Sequence, residues 1–157
     1  MNHSNAQLIQ RFYEAFQQLD AETMASCYAT DVRFSDPVFT DLRGDNVADM
    51  WRMLTRRAKD FSLTFDNIQA DEQQGSAQWV ATYVFTQTGN RVVNRIDARF
   101  NFADGKIIEH HDQFDMWRWA AQALGLKGRL LGWAPPVQNA IRGQAAKGLA
   151  QFQAARV

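Results

Sequence analysis

Three short stretches of this 157-residue chain carry side chains suited to acid–base chemistry: Asp36-Pro37-Val38, Arg95-Ile96-Asp97 and His110-His111-Asp112. Carboxylates sharing a low-dielectric site cannot both ionise easily, so their pKa values separate, one acting as acid and the other as base, and an Arg between them holds and tunes the pair. Alternation along a strand puts Arg95 and Asp97 on one face, and His110 and Asp112 on one face of the next strand, with His111 turned away. Counting back from the turn at Asp104-Gly105-Lys106 makes Asp97 and Asp112 near neighbours across the ladder, with Arg95 placed to bridge them. The expected catalytic set is therefore Asp112, Asp97, Arg95, Asp36 and His110. Phe12, Phe16, Phe34, Trp51, Phe85 and Phe114 are expected to line the pocket, as walls for a small apolar ligand. Asp36 adds a third carboxylate beside one Arg, so one acid should hold a proton at neutral pH. Each feature also has a plainer reading: Asp36-Pro37 can cap a turn, and Arg95, Asp97 and Asp112 can tie two strands together as a salt-bridge network. His110-His111 is a poor metal site, since neighbours on a strand face opposite sides and no Cys or further His joins them; no metal or cofactor is expected.

The elements that must position these groups follow from spacing. Ser4 and Gln7 form a capping-box pattern ahead of Leu8, Ile9, Phe12, Phe16 and Leu19, which recur as one face of a helix. Asp20 caps a second helix through Met24 and Tyr28, and Val32, Phe34 and Asp36 alternate as a short strand ended by Pro37. Gly44-Asp45 opens a third helix with Val47, Met50, Trp51 and Leu54 inward. From Phe61 the period becomes two, and punctuation at Gln74-Gly75-Ser76, Gly89-Asn90 and Asp104-Gly105 separates strands near 61–72, 77–87, 91–103 and 106–115, read as an antiparallel meander. Helical pattern returns from Met116 to Leu124. A Gly-rich link then leads to a last helix with Ile141, Ala145, Leu149 and Phe152 on one stripe. The order ααβαββββ implies an α+β fold, a curved antiparallel sheet wrapped over N-terminal helices to leave a cone-shaped cavity, with residues 1–117 as the domain and 118–157 as a helical extension packed on it or on a dimer partner.

Seventeen basic and seventeen acidic residues cancel, which argues against a general nucleic-acid binder. The longest apolar runs are only a few residues, so no membrane association is expected, and one cysteine, Cys27, with no secretory pattern at the start suggests a cytoplasmic protein. The charge is unevenly spread: residues 1–115 hold eleven basic and seventeen acidic side chains, residues 116–157 six basic and none acidic.

Phe34-Ser35-Asp36-Pro37-Val38, Arg95-Ile96-Asp97 and the run from Asp104-Gly105-Lys106 to Asp112-Gln113-Phe114-Asp115 resemble the nuclear transport factor 2-like superfamily of cone-shaped domains, over residues 5 to about 117. That superfamily includes limonene epoxide hydrolase, ketosteroid isomerase and SnoaL-type polyketide cyclases. Likeness to the hydrolase implies that Asp112 activates water, Asp97 protonates the epoxide oxygen and Arg95 holds both, although Phe34 and Asp36 stand where that family has Tyr and Asn. Likeness to the isomerase implies Asp36 as proton shuttle and Asp97 as oxyanion donor. Phe12 falls at the isomerase's oxyanion-hole Tyr, and Tyr13 lies about 100° further round the helix. Likeness to the cyclases implies a carboxylate base, Asp112 or Asp36 with His110, in an apolar pocket. The superfamily also serves noncatalytic binding and assembly, and its members commonly form homodimers through an apolar outer sheet face.

Overall fold

The computed structural model describes residues 3–155. Helices α1 (Ser4–Gln17) and α2 (Ala21–Ser26) lead into strand β1 (Tyr28–Ser35); a two-residue β2 (Leu42–Arg43) precedes α3 (Asp45–Arg57). Strands β3 (Ser62–Ala70), β4 (Gln74–Phe85), β5 (Asn90–Ala103) and β6 (Lys106–Gln113) follow, then α4 (Met116–Ala123), α5 (Leu126–Leu131) and α6 (Pro135–Ala155). The sheet order is β2-β1-β6-β5-β4-β3. The fold is the expected α+β cone, with β3 to β6 as consecutive antiparallel hairpins. The sheet is mixed, because β1 enters parallel to β6 rather than extending the meander.

Several local expectations shift. His3, through Nδ1, accepts the Asn5 N–H and caps α1, so the capping residue lies one position before Ser4. Asp20 does cap α2, accepting the Thr23 N–H, but that helix stops at Ser26 and Tyr28 begins β1. Tyr28 thereby changes from a helix-face residue into one aimed inward from the sheet. In α3, Met53 completes the buried stripe while Leu54 stays exposed.

The core is one cluster in which α1 and α3 lie in the curl of the sheet. Ile9, Phe12, Tyr13 and Phe16 from α1 meet Val47, Met50 and Trp51 from α3 and the inward row of β5, namely Ile96, Ala98, Phe100 and Phe102. Burying each large side chain contributes about 1.5–3 kcal/mol, which is what bends the sheet around these helices. Leu149 and Phe152 of α6 close into the same cluster. Helix α6 is held over α3 and the loop after β1: Gln153 Nε2 donates to Asn46 (2.7 Å) and Asp49 (2.9 Å), and Arg142 Nε donates to the Pro37 carbonyl (2.8 Å).

Candidate active site

The interior polar groups start from β6. His110 and Asp112 point into the cone and are almost wholly buried, at 1% and 2% exposure. Trp51 Nε1 donates to the Tyr28 hydroxyl (2.9 Å), Tyr28 meets His110 Nδ1 (2.8 Å), and His110 Nε2 meets Asp112 Oδ1 (2.9 Å). An indole N–H can only donate, so the Tyr28 oxygen receives from Trp51; in the tautomer protonated at Nε2, Nδ1 in turn accepts the Tyr28 hydroxyl proton. In that tautomer the Nε2 N–H donates to Asp112. A directed relay thus runs from α3 through β1 to β6 and ends on a carboxylate. Phe12, Phe34, Trp51 and Phe100 surround the imidazole with ring centroids 4.4–6.3 Å away, fixing its orientation.

Asp36 sits just past the end of β1. Its Oδ1 accepts the N–H groups of Val38 (2.7 Å) and Phe39 (2.6 Å), an Asx-type turn that Pro37 favours. Among the described residues no donor reaches Oδ2. Burial pushes the Asp36 carboxyl from 3.8 up to about 7; the negative charge of Asp112 adds to the rise, and the two backbone donors oppose it. The turn and the acid–base reading of Asp36 therefore coexist in one residue.

Tyr13, on α1, is fully buried against Phe65, Trp79 and Phe100. Its hydroxyl and the Trp79 indole N–H are buried with no hydrogen-bond partner among the described residues. Burial first, then the charge of Asp112 and the Tyr28 phenol, hold the Tyr13 proton on. Unpaired buried donors each cost about 1–3 kcal/mol, a cost that an acceptor brought in by a ligand would remove. Asn94 is buried on the inward row of β5, and Tyr83, whose pKa is raised by burial and then by Asp36, accepts at its hydroxyl from Trp119 Nε1 (2.8 Å).

The expected bridge of two acids by Arg95 is not formed. Asp97 pairs with Gln113 and Ala98 with Asp112, so Asp97 and Asp112 lie on opposite faces of the sheet. The cause is a bulge: Ile107 pairs with Phe102 but Glu109 with Asn101, so Ile108 is an extra residue that advances the register by one. Arg95 and Asp97 are exposed on the outer face, where Asp97 accepts from Gln78 Nε2 (3.0 Å) and both border shallow hollows with Asp66 and Gln78. Inside, the positions flanking them on β5 are Asn94, Ile96 and Ala98. His111 turns outward, as parity requires, to Ser35 Oγ (2.6 Å). Phe12, Phe16, Phe34, Trp51 and Phe114 join the interior cluster, whereas Phe85 lies outside it, edge-on to Trp119. The outer face of the sheet mixes charged and apolar side chains, with Val80 and Val93 beside the polar row. It presents Arg95, Asp97, Arg99, His111 and Gln113.

The SnoaL-like domain family matches residues 9–110, from the first helix to the imidazole of the relay. The chain belongs to the SnoaL-like domain family. No curated protein matches it at the level of sequence. Among solved structures, an LEH-like epoxide hydrolase of M. tuberculosis is similar at 21% identity and TM-score 0.63, covering 85% of this chain and 95% of that one. IdmH of Streptomyces antibioticus, assigned as a polyketide cyclase, is similar at 22% and 0.65, covering 79% and 100%. A protein of Catenulispora acidiphila with a ketosteroid isomerase-like fold, solved with trimethylamine, reaches 0.67 at 10% identity, covering 78% and 95%. At these identities the shared property is the fold. Among the described residues no helix is long and apolar enough to cross a membrane, and no cluster of three or more His, Cys, Asp or Glu could hold a metal ion.

Proposed function

We propose that this SnoaL-like protein is a cofactor-independent acid–base enzyme that moves a proton on a small apolar carbonyl compound inside the cone. Asp36 is the base, using the Oδ2 left open when the Asx-type turn occupies Oδ1. Asp112, oriented by the relay from Trp51 through Tyr28 and His110, is the second carboxylate; burial poises Asp36 near neutrality and the charge of Asp112 adds to that rise. Tyr13 and Trp79 supply donors for the substrate oxygen, which gains negative charge as the neighbouring carbon loses its proton. The observation that carries the reading is the carboxyl at about 7 facing an apolar interior, since a base works best when its pKa lies close to the working pH. Water attack on an epoxide by two acids bridged by Arg is less well supported, because Arg95 and Asp97 face away from Asp112.

The test is deuterium exchange and double-bond migration in a panel of cyclic β,γ-unsaturated ketones, followed by NMR, beside a panel of epoxides in ¹⁸O-labelled water. Exchange that is lost in Asp36→Asn, with no labelled diol, is the expected result. Labelled diol lost with Asp112→Asn and retained in Asp36→Asn would return the protein to the hydrolase reading. Inertness toward both panels with ligand still bound would make it a binding module.

A further inference from the structure

We propose that the α4–α5 hairpin is a docking surface for an anionic lipid bilayer. Its packing is inverted relative to an ordinary surface helix. The contact of α5 with α4 is made through glycine: a Cβ on Gly128 would lie 1.8 Å from the Ala120 carbonyl oxygen, and one on Gly132, the residue that caps α5, would lie 2.8 Å from the Ala120 Cβ. The large apolar side chains point outward instead. Trp117, Leu126, Leu130, Leu131 and Trp133 are each between 46% and 69% exposed. Leu126 and Leu130, one turn apart, share a side of α5. Trp117 Nε1 donates to the Arg129 carbonyl (3.0 Å) and Trp133 Nε1 to the Leu130 carbonyl (2.9 Å). With both indole donors already paired, the rings can leave water without stranding a polar group.

Charge decides the occupant. Arg118, Lys127 and Arg129 sit among these side chains, and residues 116–157 contain no Asp or Glu. Two copies meeting through this patch by a twofold axis would bring like charges face to face. Anionic headgroups complement it, and Leu and Trp flanked by Lys and Arg are the composition of a segment that lies in a bilayer interface. The molecule has no net charge, so its attraction to an anionic surface must come from local charge, and residues 116–157 carry six basic side chains and no acidic one. The surface is separate from the proposed catalytic groups and does not depend on their role.

The full chain is mixed with vesicles of phosphatidylcholine alone, or of phosphatidylcholine with phosphatidylglycerol, and followed by co-sedimentation and tryptophan emission, with light scattering of the protein alone. Binding confined to vesicles with phosphatidylglycerol is expected, weakening as salt rises from about 0.1 M to about 0.5 M. It should fall about tenfold or more in Leu126→Ser/Leu130→Ser and in Lys127→Glu/Arg129→Glu, both of which alter exposed positions and keep the native circular dichroism. Equal binding to phosphatidylcholine, or no binding to either vesicle, overturns the proposal. So does a concentration-dependent dimer that the leucine variant dissolves in the absence of vesicle binding, which would assign the patch to a second copy.

Discussion

Asp36→Asn should stabilise the protein in alkali while leaving it unchanged in mild acid. The folded carboxyl titrates near 7 against 3.8 for the free side chain. A carboxyl whose pKa is raised by folding supports the folded state below its unfolded pKa, and that support is lost as pH climbs through the folded value. At about 1.4 kcal/mol per pKa unit, carrying the charge into the fold costs roughly 3 kcal/mol more at about pH 8.5 than at about pH 5. The residue is only half-buried, and solvent screening brings the expected difference to about 2 kcal/mol. Asn retains an oxygen for the Val38 and Phe39 N–H groups, so the turn survives and the charge alone is removed. Urea unfolding followed by tryptophan fluorescence, for both proteins at both pH values, isolates this quantity, because every other titration cancels between them. Stability curves that run parallel across this range, or a wild type that gains on the variant in alkali, would refute a buried carboxyl titrating near neutrality. The same variant should lose turnover, so a gain in stability would accompany a loss of function.

Tyr28→Phe strands the Trp51 indole N–H and His110 Nδ1, and should cost about 2–3 kcal/mol in chemical denaturation; a loss under about 0.5 kcal/mol would mean that these hydrogen bonds add nothing to the folded state. Gly128→Ala should destabilise by more than about 2 kcal/mol, since the new methyl has nowhere to go, whereas Gly143→Ala in α6 meets nothing within 4 Å and should add about 0.5–1 kcal/mol; differential scanning calorimetry of the two reads the contrast directly. Arg95→Ala and Asp97→Asn, changed on the outer face, should each stay within about 0.5 kcal/mol of wild type and leave turnover intact, and a large fall in kcat for either would overturn the assignment of the interior.

The cone was legible in the sequence because its hydrophobic periods are strong: helix spacing in α1 and α3, period two through β3 to β6, and Gly-containing turns at Gly89 and Gly105. The expected break at Gln74-Gly75-Ser76 instead lies inside β4, and the β3–β4 turn is made by Asp71, whose carboxylate accepts the Gln73 and Gln74 N–H groups. The site was legible in part, and the misplacement of Arg95 and Asp97 has one physical origin. Counting residues back from Asp104-Gly105 assumes an unbroken ladder, and the single extra residue at Ile108 turns a cross-strand neighbour into a residue on the opposite face. A signal against that count was present in β5 itself. Val92, Ile96, Ala98, Phe100 and Phe102 alternate with Arg91, Arg95, Asp97 and Arg99, a pattern that assigns the charged row to solvent and Asn94 to the interior. Tyr13 was legible as a helix position but not as an inward one, because the sheet curls far enough around α1 to bury more than its apolar stripe. Tyr28 was hidden by the end of α2, whose last turn stops at a residue with no strong sequence mark. The parallel entry of β1 beside β6 is a long-range pairing that no local pattern encodes.

Moving Arg95 and Asp97 to the outside does not relieve the charge problem in the cone; it sharpens it. With them inside, three carboxylates would have faced one guanidinium. With them outside, Asp36 and Asp112 face the interior, and the buried polar and charged residues among those described are Asn5, Asp49, Thr55, Asn94, His110 and Asp112, with no Lys or Arg. The excess is two acids in either arrangement, but now only hydrogen-bond donors answer it: the imidazole N–H for Asp112, two backbone N–H groups for Asp36. Donors of that kind offset part of a carboxylate's desolvation and none of the repulsion between two carboxylates. A proton is therefore the remaining counter-charge, and the physical reason that Asp36 holds it close to neutral pH is that Asp112 has the imidazole while Asp36 has burial and a like charge as its neighbours. An interior that keeps one exchangeable proton on Asp36, and that also holds two buried donors without partners among the described residues, is the arrangement on which the proposed proton transfer rests.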